Sequence, residues 1–200
     1  NYEASLFFMT NPNAPTSMTF DKAAVALFCG NFNGVVLIDE AYVDFADSDC
    51  MDLALRRDNA NTLVMRTFSK SFSLAGLRFG YVVGPEALIG ALYKIKDSYN
   101  IDMLAQTVAM AALDDLPHMR ENVRRIRATR ERLAAALRRR GWRVCDSQTN
   151  FIFVRPPDGD AARVFEALKA AKIFVRYFPG EMTGNYLRIT VGTDEQTEAL

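Results

Sequence analysis

Short apolar runs alternate with longer segments of helical spacing through the first half of the chain. Residues 35–38 (VVLI) and 63–65 (LVM) are continuous apolar runs, which are typical of strands buried on both faces of a parallel sheet. Residues 3–10 and 79–83 predict two further strands. The predicted helices cover residues 21–28, 51–57, 86–98 and 101–116. This order predicts an α/β fold with a partial, mostly parallel sheet.

The second half of the chain begins with a long charged amphipathic segment. Residues 118–140 predict one helix, and Gly141 is the residue type that commonly ends a helix. Short strands and one helix alternate after it and predict a small α+β unit. We therefore place a partial large domain at residues 1–117 and a small C-terminal domain, with its linking helix, at residues 118–200.

Composition and charge narrow the class of protein. The 200 residues carry 24 basic and 24 acidic side chains, a formal net charge of zero. This balance argues against nucleic acid or a membrane surface as the main partner, and we see no apolar stretch long enough to span a bilayer. The scattered thiols Cys29, Cys50 and Cys145 favour a reduced, cytoplasmic protein. Because the sequence begins at Asn1, we expect an N-terminal portion to be missing.

Reactive side chains follow the predicted strand that contains residues 63–65. Lys70 lies just after this strand. Thr67 and Ser69 come just before Lys70, and Arg78 follows eight residues after it. Ligands of parallel α/β sheets bind at the carboxyl ends of the strands. An amine, two hydroxyls and a guanidinium at such an edge suit a ligand that carries both an aldehyde and a phosphate.

Asp39 follows the neighbouring predicted strand and has two interpretations. With Glu40 it resembles the acidic strand end that holds magnesium in nucleoside triphosphatases, although this chain contains no G-x-x-x-x-G-K-[ST] loop. Alternatively, its carboxylate keeps the nitrogen of a heteroaromatic ring protonated through a charge-assisted hydrogen bond. Tyr42 is placed to bond an oxygen of the same ring or to pack in the core. The spacing from Asp39 to Lys70 allows one crossover between adjacent parallel strands.

Five segments in order resemble the histidinol-phosphate aminotransferase family. Members of this family are fold-type-I enzymes that depend on pyridoxal 5′-phosphate (PLP). The segments are residues 11–17 (NPNAPTS), 38–45 (IDEAYVDF), 66–80 (RTFSKSFSLAGLRFG), 149–155 (TNFIFVR) and 186–193 (YLRITVGT).

The resemblance implies a role for each candidate residue. Lys70 would be the catalytic amine that holds the cofactor and moves the proton, and Asp39 and Tyr42 would bind the ring nitrogen and the ring oxygen. Arg188 would grip the substrate carboxylate, while Arg176 would meet a substrate phosphate or make a structural ion pair. The residues that would hold the cofactor phosphate are Thr67, Ser69 and Arg78.

The first of these segments departs from the family pattern at two positions. The family has an asparagine directly before the proline, where this chain has Ala14. Either Asn13 takes its place against the cofactor, as we assign it, or this contact is lost. The usual glycine is Ser17. The family also has an N-terminal half that this chain lacks, so we expect the site of this chain alone to be incomplete.

The activity implied is transamination between L-histidinol phosphate, or a similar amino donor, and 2-oxoglutarate in histidine biosynthesis. The resemblance also implies a homodimer. Two alternatives stay open at this point, which are a PLP-dependent decarboxylase of the phosphothreonine type and a nucleoside triphosphatase fragment that uses Asp39 and Glu40. No metal is expected for the aminotransferase or for the decarboxylase.

Overall fold

The first sheet carries the segments that were predicted to hold the site. The computed structural model of the protein describes residues 4–200. The four strands of this sheet lie in the order β1-β2-β3-β4. Their bounds are β1 (Leu6–Thr10), β2 (Val35–Asp39), β3 (Thr62–Thr67) and β4 (Gly80–Val83). All four predicted strands are confirmed, except that residue 3 of the first prediction lies outside the described residues.

Strands β1, β2 and β3 are parallel, and β2 and β3 are direct neighbours. Asp39, the last residue of β2, is in register with Met65 of β3. The crossover between these strands contains the short helix α2 (Met51–Leu55). The carboxyl ends of β2 and β3 therefore meet at one edge of the sheet, as the spacing between Asp39 and Lys70 predicted.

Strand β4 runs antiparallel to β3, which the apolar pattern alone did not predict. The connection between them is a loop that contains only a 3₁₀ turn, Ala75–Leu77. A return crossover to a parallel strand usually requires an α-helix. Because this loop has no such helix, the chain reverses direction and Gly80 pairs with Thr67.

Helices accompany the sheet, and the two that lie between β1 and β3 in the sequence pack apolar residues against it. In the first unit the helices are α1 (Lys22–Asn31), α2, α3 (Glu86–Ile95) and α4 (Met103–Asp114). Helix α1 begins where the Asp21 carboxylate accepts a hydrogen bond from the Ala24 N–H, at 2.9 Å. The core beneath it contains the fully buried side chains of β2 and β3 together with residues of α1 and α2, namely Val25, Cys29, Val36, Ile38, Leu53 and Val64.

The chain divides into two compact units. Unit 1 contains residues 4–12 and Thr19–Arg120, and unit 2 contains Asn13–Met18 and Glu121–Leu200. Helix α5 (Leu116–Arg139) begins in the first and continues into the second. Pro117 lies in the first turn of α5, where its missing N–H is tolerated. Gly141 follows the helix with φ of +80°.

Unit 2 contains an antiparallel sheet with the strand order β5-β6-β8-β7. The strands are β5 (Arg143–Val144), β6 (Phe151–Arg155), β7 (Arg176–Tyr177) and β8 (Leu187–Thr190). Helices α6 (Ala161–Ala170) and α7 (Asp194–Ala199) complete it. Its own core includes Leu133, Ile152, Val154 and Leu187.

The segment Asn13–Met18 is held in unit 2 by its backbone. The Gln148 N–H donates to the Ser17 carbonyl at 2.8 Å. Ser17 is fully buried with φ of +67°, the left-handed conformation that favours glycine. The serine at the family's glycine position therefore keeps a glycine-like backbone. Through residues 4–200, the helices are either too short or too charged to cross a membrane.

Candidate active site

A cleft of about 760 Å³ opens in unit 1 where β2 and β3 end. Five of the predicted site residues line it, and they come from β2, from the end of β3 and from the loop that follows β3. These residues are Asp39, Thr67, Ser69, Lys70 and Arg78. The far wall is formed by Tyr81 and Val82 of β4 and by Ile89, Leu92 and Tyr93 of α3. Sequence reasoning missed this wall, because nothing local indicates that α3 packs near the strand ends.

Lys70 is positioned by the aromatic residues around it. Phe68 is buried, and its ring centroid lies 4.6 Å from that of Phe72 and 4.9 Å from that of Phe79. This packing fixes the backbone from which Lys70 projects into the cleft. The Lys70 Nζ lies 5.1 Å from the ring centroid of Tyr42, within the range of a cation–π contact. The structure thus brings Tyr42 to Lys70, although Tyr42 does not line the cleft.

Asp39 is half-buried at the end of β2. Its Oδ1 accepts a hydrogen bond from the Ala41 N–H at 2.9 Å, and its carbonyl accepts one from the Asn11 N–H at 2.9 Å. The carboxylate is therefore held by its own chain at the edge of the cleft. It shares that cleft with the Lys70 amine.

Thr67, Ser69 and Arg78 form the polar part of the cleft. The Thr67 hydroxyl donates to Ser69 Oγ at 2.9 Å and accepts from the Ser69 N–H at 3.1 Å. Arg78 has φ of +54°, and its Nη1 donates to the Ala75 carbonyl at 2.9 Å. Two hydroxyls therefore share this cleft with the basic side chains of Lys70 and Arg78, and Arg66 and Lys96 also line it.

A buried ion pair lies beside the site and was not predicted from the sequence. The Glu40 side chain is fully buried, and its Oε2 accepts from Arg66 Nε at 2.8 Å. The Cys50 N–H also donates to Glu40 Oε1. Burial raises the pKa of Glu40, although the Cys50 N–H and Arg66 oppose that rise. An acid directly after Asp39 and an arginine at the end of the next strand were the available signals.

This arrangement does not suit the nucleoside triphosphatase hypothesis. Both oxygens of Glu40 are already bonded within the protein.

The remaining predicted site residues belong to unit 2. Arg188 of β8 is paired in register with Arg176 of β7, so the two side chains leave the sheet on the same face. The Arg188 guanidinium lies 4.9 Å from the ring centroid of Phe151 and 5.4 Å from that of Phe178. Its Nε is buried and, among the residues described, has no hydrogen-bond partner. Asn13 accepts a hydrogen bond from the Thr16 hydroxyl at 2.7 Å.

Comparison with known proteins assigns the fold to the aminotransferases. Residues 1–200 match the family described as aminotransferase class I and II, and the chain belongs to this family. It is 46% identical over 198 residues to the histidinol-phosphate aminotransferase of Geobacter sp. (strain M21), covering 99% of this chain and 56% of that protein.

Solved structures agree with this assignment. The histidinol-phosphate aminotransferase of Sinorhizobium meliloti, in complex with pyridoxal-5′-phosphate, superimposes with a TM-score of 0.88 at 27% identity, over 98% of this chain and 55% of that one. L-threonine-O-3-phosphate decarboxylase from Porphyromonas gingivalis has a TM-score of 0.82 at 22% identity, over 98% of this chain and 62% of that one, which shows the fold alone.

These matches confirm the resemblance to the histidinol-phosphate aminotransferases and the fold-type-I class of the large domain. They remove the nucleoside triphosphatase alternative. The chain spans just over half the length of the curated relatives it matches, 56% of the Geobacter protein.

Proposed function

We propose that this chain is part of a PLP-dependent aminotransferase that transfers the amino group of L-histidinol phosphate, or of a similar donor, to 2-oxoglutarate. The observation that carries the proposal is the cleft in unit 1. It brings Asp39 and Lys70 from adjacent strand ends to one site, together with Thr67, Ser69 and Arg78. The relatives at 42–46% identity, all histidinol-phosphate aminotransferases, support the substrate.

The cleft residues fit PLP group by group. Arg78 and the hydroxyls of Thr67 and Ser69 suit its phosphate, because guanidinium and hydroxyl groups donate hydrogen bonds to phosphate oxygens. Asp39 offers a half-buried carboxylate to a pyridinium nitrogen. The volume of about 760 Å³ is within the usual range for a cofactor site.

Each side chain would have one task in the reaction. When bound, PLP supplies the aldehyde that takes up the amino group and a pyridine ring that accepts electrons from the substrate Cα. Asp39 would hold the proton on the ring nitrogen, and Tyr42 would bond the ring oxygen. Lys70 would hold the cofactor in the resting enzyme, and its Nζ would then take the proton from the substrate Cα.

Arg188 and Arg176 support an anionic substrate. Two arginines paired in register on adjacent strands place like charges on one face of the sheet, which is unfavourable unless an anion binds near them. The buried, unpaired Nε of Arg188 is a donor that a carboxylate would satisfy. Because L-histidinol phosphate has no carboxylate, we assign the carboxylate of the 2-oxoglutarate acceptor to Arg188 and the phosphate of the donor to Arg176. Asn13 remains a proposed contact of the cofactor.

The decarboxylase alternative has weaker support. The phosphothreonine-type decarboxylase described above is only 22% identical, a likeness that extends to the fold and no further. We also propose that the enzyme acts as a cytoplasmic homodimer, which rests on the family resemblance and on the three free thiols Cys29, Cys50 and Cys145.

The first experiment is absorbance with PLP. We expect a visible band that borohydride abolishes, and we expect Lys70→Ala to abolish it as well, because the amine that bonds the aldehyde is gone. Lys96→Ala is the matched control, since Lys96 lines the same cleft but donates to the Asp97 carbonyl and to Asn100. A band that survives in Lys70→Ala would contradict the assignment.

The second experiment separates the two reactions. The protein is incubated with PLP, 2-oxoglutarate and L-histidinol phosphate, and glutamate is measured. Carbon dioxide release from O-phosphothreonine is measured in parallel. Glutamate formation without carbon dioxide supports the proposal, and the reverse result supports the decarboxylase.

A further inference from the structure

Two side-chain bridges join the segment after β2 to the segment that carries Lys70. Glu40, the residue next to Asp39, accepts from Arg66 of β3 at 2.8 Å. Ser71, the residue next to Lys70, donates its hydroxyl to the Asp44 carboxylate. Each member of the Asp39–Lys70 pair therefore has a chain neighbour that is bonded to the other segment.

The Glu40–Arg66 bridge is the more buried of the two. The Glu40 side chain is 0% exposed and that of Arg66 is 21% exposed. Arg66 Nη2 lies 2.8 Å from the same Glu40 oxygen and 3.5 Å from Asp49 Oδ2, and Tyr81 is its cross-strand neighbour. A buried ion pair adds little net stability compared with apolar residues of the same shape, so stability alone does not explain it.

The Ser71–Asp44 bridge works from the opposite side. Ser71 is 5% exposed, so its hydroxyl needs a protein partner, and Asp44 supplies one. Asp44 lies in the 3₁₀ turn Val43–Phe45, directly after Tyr42. The bridge thus ties the turn that follows Tyr42 to the loop that carries Lys70.

We propose that these two bridges form a brace that positions Asp39 opposite Lys70, with Glu40 and Arg66 as positioning residues for the Asp39 carboxylate. The proposal rests on the function proposed above for Asp39 and Lys70. Without the brace, the end of β2 would still pair with β3 through its backbone. The Asp39 carboxylate would then have only the Ala41 N–H to orient it.

The Ala41 amide gives a test that needs no cofactor. Because this N–H donates to Asp39 Oδ1, its hydrogen exchange reports the position of the carboxylate. In the cofactor-free protein we expect Glu40→Gln to speed exchange at Ala41 about tenfold, the effect of loosening one charge-assisted hydrogen bond. The amides of Ile38 and Val64 within the sheet should keep their rates.

Asp58→Asn is the matched control. It removes a carboxylate that bonds Arg56 at 2.7 Å, but this pair is exposed on the surface of unit 1. It should leave Ala41 exchange unchanged. If Glu40→Gln speeds Ile38 and Val64 as much as Ala41, the pair is merely structural and the positioning role is wrong.

Cofactor binding gives the second readout. We expect Glu40→Gln to weaken PLP binding about tenfold or more, the usual size of an effect from removing an orienting outer partner at metal sites. A firmly held proton on the ring nitrogen disfavours a second proton on the same conjugated group. Because Glu40→Gln would loosen the first proton, the second would bind more readily, and the pH midpoint of the visible absorbance should rise by about one unit. Unchanged affinity and midpoint would overturn the proposal.

A second variant guards against misfolding of the first. Ser71→Ala removes only one hydroxyl and tests the brace from the side of Lys70. It should speed Ala41 exchange and weaken PLP binding in the same direction, and no change in either would count against the brace. If the full-length protein that contains this chain gives no visible band with PLP, the proposed function fails, whereas the exchange rates still decide whether the brace exists.

Discussion

At the scale of single residues, burial determines which groups are available for chemistry. Lys70 and Arg78 lie in the cleft, but the thiol of Cys50 is 1% exposed and lies against Asn11, whose Nδ2 is 3.5 Å from its sulfur. Burial raises the pKa of Cys50 from 9.0 to about 11. This thiol is therefore a packing residue that stays protonated at neutral pH.

The raised pKa of Cys50 predicts a loss of stability at alkaline pH. The folded state keeps this proton up to about pH 11, whereas the unfolded state releases it near pH 9.0. Its contribution to the free energy of unfolding is thus complete below about pH 9 and is lost towards pH 11, by up to about 2–3 kcal/mol. We expect urea denaturation to show that the wild type exceeds Cys50→Ala in free energy of unfolding, and that this difference decreases between about pH 9 and pH 11.

Cys145→Ala serves as the comparison for that experiment. Burial also raises the pKa of Cys145, but this thiol is only half-buried. The stability curves of the wild type and Cys145→Ala, measured against pH, should therefore converge less than those of the wild type and Cys50→Ala. Parallel curves for wild type and Cys50→Ala from neutral to alkaline pH would show that the Cys50 thiol ionises equally well in both states.

The role of a residue could be predicted only where its neighbours in the sequence indicate where it lies in the fold. Asp39 follows an apolar run directly and Lys70 lies in the loop just after the next one, so their place near the strand ends was available from the pattern. Arg78 was found from its spacing of eight residues after Lys70. The Glu40–Arg66 pair joins positions 26 residues apart, one just after β2 and the other in β3, and its burial depends on how the loop that contains Cys50 folds back. No periodic pattern encodes such a contact, which is why it was missed.

At the scale of elements, the site depends on the exact ends of a few strands and helices. Helix α1 packs Val25 and Cys29 against the sheet that carries Asp39, and it starts at the cap residue Asp21. Apolar runs predicted the strands because buried parallel strands need them on both faces. The direction of β4 depends instead on the loop that precedes it, so the run at residues 79–83 did not reveal it.

The cap of α1 gives a prediction at this scale. Asp21→Ala removes the acceptor for the Ala24 N–H and should lower the free energy of unfolding by about 1 kcal/mol. Asp21→Asn keeps a side-chain oxygen at the same place and should cost much less. Urea denaturation of both variants checks this, and equal losses in the two would mean that the charge rather than the hydrogen bond stabilises the helix.

At the scale of the whole molecule, each unit has its own core and its own share of the candidate residues. Unit 1 contains Asp39, Lys70 and the groups proposed for the cofactor phosphate, whereas unit 2 contains Asn13, Arg176 and Arg188. The domain boundary that we predicted at residues 117 and 118 remains an interpretation of the sequence. The change from one unit to the other falls within α5, between Arg120 and Glu121.

This division predicts which part of the molecule the cofactor stabilises. PLP at about a hundred times its dissociation constant should raise the free energy of unfolding by about 2.7 kcal/mol, if it binds only the folded state. Hydrogen exchange should show the added protection in β2 and β3 of unit 1. Pyridoxal, which lacks the phosphate, should stabilise less at equal concentration, and equal effects of both compounds would remove the phosphate role of Thr67, Ser69 and Arg78.

The short segment Asn13–Met18 belongs to unit 2 although the chain on both sides of it belongs to unit 1. A single cut near Arg120 consequently does not separate the halves cleanly. A recombinant fragment of residues 121–200 would lack this strip and would leave the Gln148 N–H without the Ser17 carbonyl. To study unit 2 alone, the segment Asn13–Met18 would have to be added as a separate peptide or fused to the fragment.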